Sequence, residues 1–524
     1  MHSTPTPRVR ALMPLWLALA VAPASGVLFA LAFPAVSLWA GAYISVFGIL
    51  AAVVGRRTRV AVLIGLLYGL GLYFPLVWWT ARYLGPLPWI ALASFEALFT
   101  AVLFLPTALA YRWIPQLVRV RWLRSLITVV TVAALWSVRE FAVGTMPFGG
   151  FPWARIAYTQ VDTAVASGAS WVGVSGLGFL LVAVVAAALE IVREPHYRHS
   201  FRMLAHSALI PAVIVAILVI VPFFPTSPVG SIRIGAVQGN GPTGYFDHRE
   251  PYAVIDAQLA ATEPIFDDRV DLIAWPEGGV DGDPFMNDGI ARALSQTAYR
   301  AQAPVLANAA TEFEGRYFNT SFLWPENGQW PVTRADVQTH AKRNPVPFGE
   351  YVPWRNFFRF FAPDLIDLIQ REYTPGTDSP VFAVADTHIG LAICFDVIYD
   401  PVIRQGIRDG AEAFVFQTNN ADFRGTEENL QQLAIARMRA IETGRWVVNV
   451  STVGTSQVIR ADGTSVATLA ADTAGVLIED VELRTGTTAG IMLGAWLDAG
   501  FVVTGLGLTA AAGLRSRARK KKSA

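Results

Sequence analysis

Long apolar stretches dominate the first 225 positions, short alternating runs follow, and one more apolar stretch precedes the end. The stretches at 13–33, 36–54, 60–79, 89–111, 126–143, 164–192 and 209–224 each approach the ~20 residues a membrane-spanning helix needs. An eighth lies at 490–512. The pattern predicts a bundle of seven spans over 1–225, an eighth membrane helix at 490–512 and a basic tail at 513–524. Between them, 231–483 has the balance and length of one complete domain with its own core. The first stretch follows Arg8 and Arg10 and contains Ala22-Pro23-Ala24, as a cleaved leader would. Its apolar run continues to Phe33, so a retained helix is expected.

Within 231–483, short apolar runs at 232–237, 272–275, 305–309, 317–323, 389–394, 413–417, 446–450 and 456–459 read as strands. Segments 252–262, 290–301, 401–409 and 428–443 read as helices, and the alternation predicts a layered α/β domain with mixed strand pairing. One stretch, 353–369, carries Trp354, Phe357, Phe358, Phe361 and Leu365 at helical spacing, with Pro363 expected to split it. Its aromatic face suits either a core or the surface of a bilayer.

Composition agrees with this partition: 53% of the residues are hydrophobic and only 15% charged, too apolar for an ordinary soluble protein. Lys and Arg are distributed unevenly among the short connections. Arg8 and Arg10, Arg56, Arg57 and Arg59, then Arg112, Arg119, Arg121 and Arg124 fall on one side. Arg193, Arg198, Arg202 and the tail from Arg515 to Lys522 join them, while the other side holds Arg82, Arg155 and, near a span end, Arg139. The basic side is expected to face the cytoplasm, which puts the α/β domain outside and the C-terminus inside. A net charge of +1, with its basic clusters explained by topology, gives no reason to invoke a nucleic-acid partner.

The chain has a single cysteine, so Cys394 has no internal disulfide partner. It follows the apolar run Ile389–Ile393, while Glu277 follows Leu272-Ile273-Ala274-Trp275-Pro276 and Lys342 precedes Pro347-Phe348-Gly349-Glu350. A thiol is only a few per cent thiolate at neutral pH; a carboxylate can take its proton and an ammonium can stabilise the resulting charge. Glu277 suits the base, Lys342 the electrostatic partner, and the Phe395 N–H an additional donor to an oxyanion.

The domain resembles the carbon-nitrogen hydrolase (nitrilase) superfamily, with its Glu-Lys-Cys triad and α-β-β-α sandwich. The whole chain resembles the integral membrane branch of that group, the apolipoprotein N-acyltransferases. The resemblance is carried by Gly150-Phe151-Pro152-Trp153, Tyr158 and Gln160, Val237-Gln238-Gly239-Asn240, Trp275-Pro276-Glu277, Lys342 and Pro347 to Pro353. Ile393-Cys394, Asn419 and the run Ala436 to Arg445 extend it. It implies acyl transfer from a phospholipid to the N-terminal amine of a diacylglyceryl-apolipoprotein in the bacterial cytoplasmic membrane. Glu277 would be base, Lys342 would stabilise the tetrahedral intermediate, Cys394 would be nucleophile and Glu350 a second essential carboxylate. No cofactor or metal is implied, and a monomer is the simplest assembly. Three departures stand out: Phe395-Asp396 replaces Tyr-Glu, Asp422 with Phe423 stands where a Trp-Phe pair is usual, and Gln431-Gln432 replaces Gln-His. They bear on the lid and on substrate preference. A membrane-tethered amidase and an inactive lipid-binding paralogue are the alternatives.

Overall fold

The structure, a computed structural model, describes residues 9–118, 120–193, 201–328 and 330–523. Arg8, Arg119, Arg198 and Ala524 lie outside the described residues. Two compact units emerge: one runs through Ala81, Gly85–Pro222 and from Ala489 onward, the other comprises Arg82–Leu84 and Phe223–Thr488.

The first unit is helical. It contains α1 (Leu15–Ala30), α2 (Trp39–Val53), α3 (Thr58–Leu76), α5 (Pro86–Leu117), α6 (Arg121–Val143), α7 (Ala169–Arg193) and α8 (Phe201–Ile220), with a single turn, α4 (Ala81–Leu84), before α5. Among the described residues, the helices α3, α5, α6, α7 and the last one (Ala489–Ser523) are long and apolar enough to cross a membrane, and α1, α2 and α8 are shorter apolar helices. The chain is a multi-pass membrane protein. Prolines 23, 75, 106, 115 and 211 all lie inside helices, which a packed membrane bundle tolerates better than water does. The charges inside the spans turn inward. Arg139 is buried with its guanidinium 4.6 Å from the Trp136 ring centre, and Glu140 accepts hydrogen bonds from the Trp136 indole and the Ile156 N–H. Asp498, costly in lipid, is likewise buried within its unit.

The second unit is built on two six-stranded sheets. The first contains β1 (Ser227–Gln238), β2 (Leu272–Ala274), β3 (Val305–Phe313), β4 (Arg316–Trp324), β5 (Gln338–Ala341) and, at its far edge beside β1, β12 (Gly475–Thr485). In the second, β6 (Val381–Val384), β7 (Thr387–Ile393), β8 (Ala413–Thr418), β9 (Val447–Ser451), β10 (Ser456–Ile459) and β11 (Ser465–Leu469) lie in sequence order. Alternation along the strands makes the layers. Ile232, Ile234 and Ala236 of β1 share one core with Leu391, Ala413, Val415 and Val448 of the other sheet. The opposite face of the first sheet, with Val237, Ile273 and Val305, packs on Ile255 of α9 (Ala253–Thr262) and on Ile290 and Leu294 of α10 (Asp288–Ala301). The Phe414 ring, on the outer face of β8, fills the space that a Cβ on Gly406 would need; Gly406 belongs to α13 (Asp400–Arg408). With α14 (Glu428–Thr443) against β9, the result is the expected α-β-β-α sandwich.

Strand direction fixes where chemistry can sit. β1, β2 and β3 are parallel, and β4 then β5 reverse twice, so β5 again points with β2. β7, β8 and β9 are also mutually parallel. Glu277 follows β2, Lys342 follows β5, Cys394 follows β7 and Asn419 follows β8. Each stands just past a carboxyl strand end, where α/β sheets place their ligands.

The 353–369 stretch divides as expected at Pro363, into α11 (Arg355–Phe361) and α12 (Pro363–Ile366). The core reading fails for most of its rings: Trp354, Phe360 and Phe361 are 70%, 82% and 67% exposed.

Candidate active site

Lys342 is 2% exposed and bridges two carboxylates. Its Nζ lies 3.1 Å from Glu277 Oε1 and 2.9 Å from Glu350 Oε2. Asn319, on β4, completes the bridge, its amide donating to Glu277 Oε1 at 2.7 Å and to Glu350 Oε1 at 3.0 Å. The Lys342 N–H donates to the Asn319 carbonyl, so one strand pairing aligns both residues. Glu350 also caps its own turn by accepting from the Val346 N–H at 2.7 Å. Glu350 thus both caps its own turn and pairs with the Lys342 ammonium.

Cys394 directly follows β7 and opens a turn of 3-10 helix, Cys394–Ile398, with φ of +50°. A positive φ is uncommon for a residue with a Cβ, and such strain gathers at functional sites. The side chain is buried, and its sulfur accepts from Gln432 Nε2 at 3.7 Å.

Electrostatics separates these groups. Burial pushes the Cys394 thiol well above its ordinary value; Glu277, Glu428 and Glu350 add to this and Lys342 opposes it. Burial alone would drain the Lys342 proton, but Glu277, Glu350, Cys394 and Asp396 outweigh it and hold the ammonium well above its usual range. Glu277 is raised by burial, pulled back by Lys342 and raised again by Glu350. Thus the ammonium keeps its charge while the carboxyl becomes a stronger base, closer to the thiol it would deprotonate.

The other sequence candidates occupy supporting positions. Asp396 is fully buried and accepts from the Arg343 and Asn344 N–H groups and the Asn344 amide, tying the turn after Lys342 to the turn after Cys394. Phe395 lies buried in that second turn. Asn419 accepts from Thr243, Thr452 and the Ala421 N–H. Asp422 and Phe423 lie on the next 3-10 turn, Ala421–Phe423. The Asp422 carboxylate accepts from the Tyr245 N–H at 2.6 Å, so it fastens a neighbouring loop; burial pushes it up to about 6.

Sequence reading missed Asn319, Asn308, Ser321 and Gln417, and noted Gln432 only as part of the Gln431-Gln432 departure. Asn308 donates to Asn319 and Ser321, while Ser321 reaches across to Gln417 on the other sheet at 2.5 Å. Gln417 in turn donates to the Trp275 carbonyl, two residues before Glu277. The available signal was polar residues inside otherwise apolar strands, as in Phe318-Asn319-Thr320-Ser321-Phe322.

Comparison with known proteins accords with this geometry. Residues 233–489 match the family model described as carbon-nitrogen hydrolase, and residues 25–187 match that of the apolipoprotein N-acyltransferase N-terminal domain. The sheet-bearing unit is thus of the carbon-nitrogen hydrolase class. Apolipoprotein N-acyltransferases from Mycolicibacterium smegmatis and Pseudomonas putida are each 29% identical over 464 residues, covering 84% and 85% of this chain and 76% and 87% of theirs. That of Ralstonia nicotianae is 30% identical over 486 residues, 90% of this chain and 88% of its own. The chain belongs to the apolipoprotein N-acyltransferase family.

Proposed function

We propose that this chain transfers a fatty acyl group from a membrane phospholipid to the N-terminal α-amino group of a diacylglyceryl-cysteine apolipoprotein, with Cys394 as nucleophile. The observation that carries the reading is the buried bridge in which Lys342 holds Glu277 and Glu350, at the strand ends shared with Cys394. Glu277 accepts the thiol proton as sulfur attacks the ester carbonyl. The tetrahedral oxyanion is stabilised by Lys342 and the Phe395 N–H, and the C–O bond then breaks. The departing lysophospholipid oxygen takes the proton from Glu277. The acceptor amine next attacks the thioester, the C–S bond breaks, and Glu277 receives the amine proton and returns it to sulfur. Covalent relay of this kind gives ping-pong kinetics. The chain works as a monomer in the cytoplasmic membrane, with its sheet domain on the outer side.

Phospholipid alone should add one acyl mass to the purified protein, removable by neutral hydroxylamine. A diacylated lipopeptide should then receive that acyl group as an amide. Cys394→Ala should form no adduct, and transfer by this variant would overturn the mechanism. Release of free fatty acid in place of the amide would instead identify a hydrolase.

A further inference from the structure

A directed chain of hydrogen bonds reaches the Cys394 sulfur from the second sheet. It starts at a group that can only donate: the Gly454 N–H gives a hydrogen bond to Ser451 Oγ at 2.9 Å. Ser451 passes its hydroxyl hydrogen to Asn420 Oδ1 at 2.6 Å. With its oxygen so assigned, Asn420 offers its two amide hydrogens to Gln432 Oε1 at 3.0 Å and Glu428 Oε2 at 2.7 Å. The Gln432 oxygen is therefore turned to Asn420, and its Nε2 donates to Cys394 Sγ. Ser451, Asn420, Glu428 and Gln432 are all buried, and there is no slack at the start of the chain. A Cβ on Gly454 would stand 2.4 Å from Asn420 Oδ1.

We propose that Gln432 is a catalytic amide that donates to the Cys394 sulfur as its proton leaves, and that Asn420 and Glu428 are the residues that position it. The role as donor rests on the cysteine nucleophile proposed above. The S–H proton still goes to Glu277; Gln432 gives up nothing and stabilises sulfur when it becomes anionic, in attack and again when the thioester C–S bond breaks. Hydrogen bonds to charged groups are stronger than neutral ones, so the contact tightens when it is needed.

Glu428 acts in its uncharged form. Its Oε1 is buried without a hydrogen-bond partner among the described residues, a setting that disfavours a carboxylate. Burial carries it up to about 8, with Asn420 lowering and Glu277 raising it. The charged and titratable groups acting on the sulfur are Glu277, Lys342, Glu428 and Glu350. As an anion Glu428 would join Glu277 and Glu350 in holding the thiol back; protonated, it accepts from Asn420 without adding that charge.

Alkylation by iodoacetamide tests this without any lipid, because Cys394 is the only thiol in the chain. Rates would be followed by mass spectrometry on the full-length protein in detergent, from about pH 6 to 10. Gln432→Leu should slow alkylation about tenfold at each pH below the thiol's midpoint, the effect of a rise of about one unit in its pKa. Glu428→Leu should slow it in the same direction, and Glu428→Gln, an uncharged acceptor of similar size, should restore most of the rate. A Gln432→Leu profile superimposed on that of the parent overturns the proposal, as does Glu428→Gln behaving like Glu428→Leu. If Gln432→Leu does not fold, Gln432→Met removes the same donor and the same results decide. Since no acyl donor enters the assay, failure of the lipid-transfer reading would leave this outcome unchanged.

Discussion

At the residue scale, Glu277 takes its basicity from two neighbours that push in opposite directions. As the base of the proposed mechanism it would accept a proton only when ionised, so its raised pKa would set the acid limb of the reaction. Lys342 lowers that pKa and Glu350 raises it. Lys342→Met should therefore move the acid limb to higher pH, and should also slow acyl-enzyme formation by about 10²–10³-fold through loss of the oxyanion donor. Glu350→Gln should move the same limb to lower pH. Rates of acyl-adduct formation by mass spectrometry across the pH range would show the two shifts. Shifts of the same sign would mean that the bridge does not control the base. Glu277 and Cys394 could be picked out in the sequence because each follows an apolar strand and carries a chemically distinctive group; Lys342 follows the polar strand Gln338–Ala341 and was legible only from the Pro347-Phe348-Gly349-Glu350 run after it. Asn319 was hidden, since a neutral amide inside an apolar strand has no pattern that separates a ligand from a buried structural contact, and Gln432 stood out only as a departure from a Gln-His pair, with no role attached.

At the scale of elements, the hairpin of α11 and α12 presents its rings outward because its closing contacts lie elsewhere. Arg355 donates to Glu372 and to the Ile366 and Ile369 carbonyls, Arg359 pairs with Asp367, and Val352, Ile366 and Ile369 form the small core beneath. Phe360 and Phe361 contribute little to that core, and an exposed aromatic face of this kind is suited to the interfacial region of a bilayer. Phe360→Ser with Phe361→Ser should raise KM for phospholipid presented in vesicles severalfold, by forfeiting part of the ~1.5–3 kcal/mol that burial of each ring provides. kcat and thermal stability should change little. An unchanged KM would show that the rings do not enter lipid. Periodicity revealed the helix and its break at Pro363, but not which side its aromatic face meets, because core and interfacial helices have the same spacing. Strand β12 escaped notice for a related reason: Glu479, Asp480 and Glu482 interrupt its apolar pattern, although it pairs with β1 from Ser227 to Gln238.

For the whole molecule, hydropathy separated membrane from sheet domain because the two solvents demand different compositions. The arginine-rich connections lead to a definite expectation. Alkaline phosphatase fused after Gly230 should be active, since that enzyme works only outside the cytoplasm, and a fusion after Ala524 should be silent. The reverse pattern would place the sheet domain in the cytoplasm.

The sandwich itself has a further consequence. Glu277 and Lys342 belong to one sheet, Cys394 and Gln432 to elements of the other, and they are aligned by the interior the sheets share and by the hydrogen bonds of Asp396 and Ser321 that cross between them. Neither half is chemically competent alone. A thiol without its base remains protonated, and a carboxylate without its thiol has nothing to activate. A nascent or damaged copy in which the sheets have not closed is therefore inert towards the surrounding lipid. On the proposed mechanism it could not draw acyl chains from the bilayer that holds it, and the membrane would be protected from its own enzyme until folding is complete.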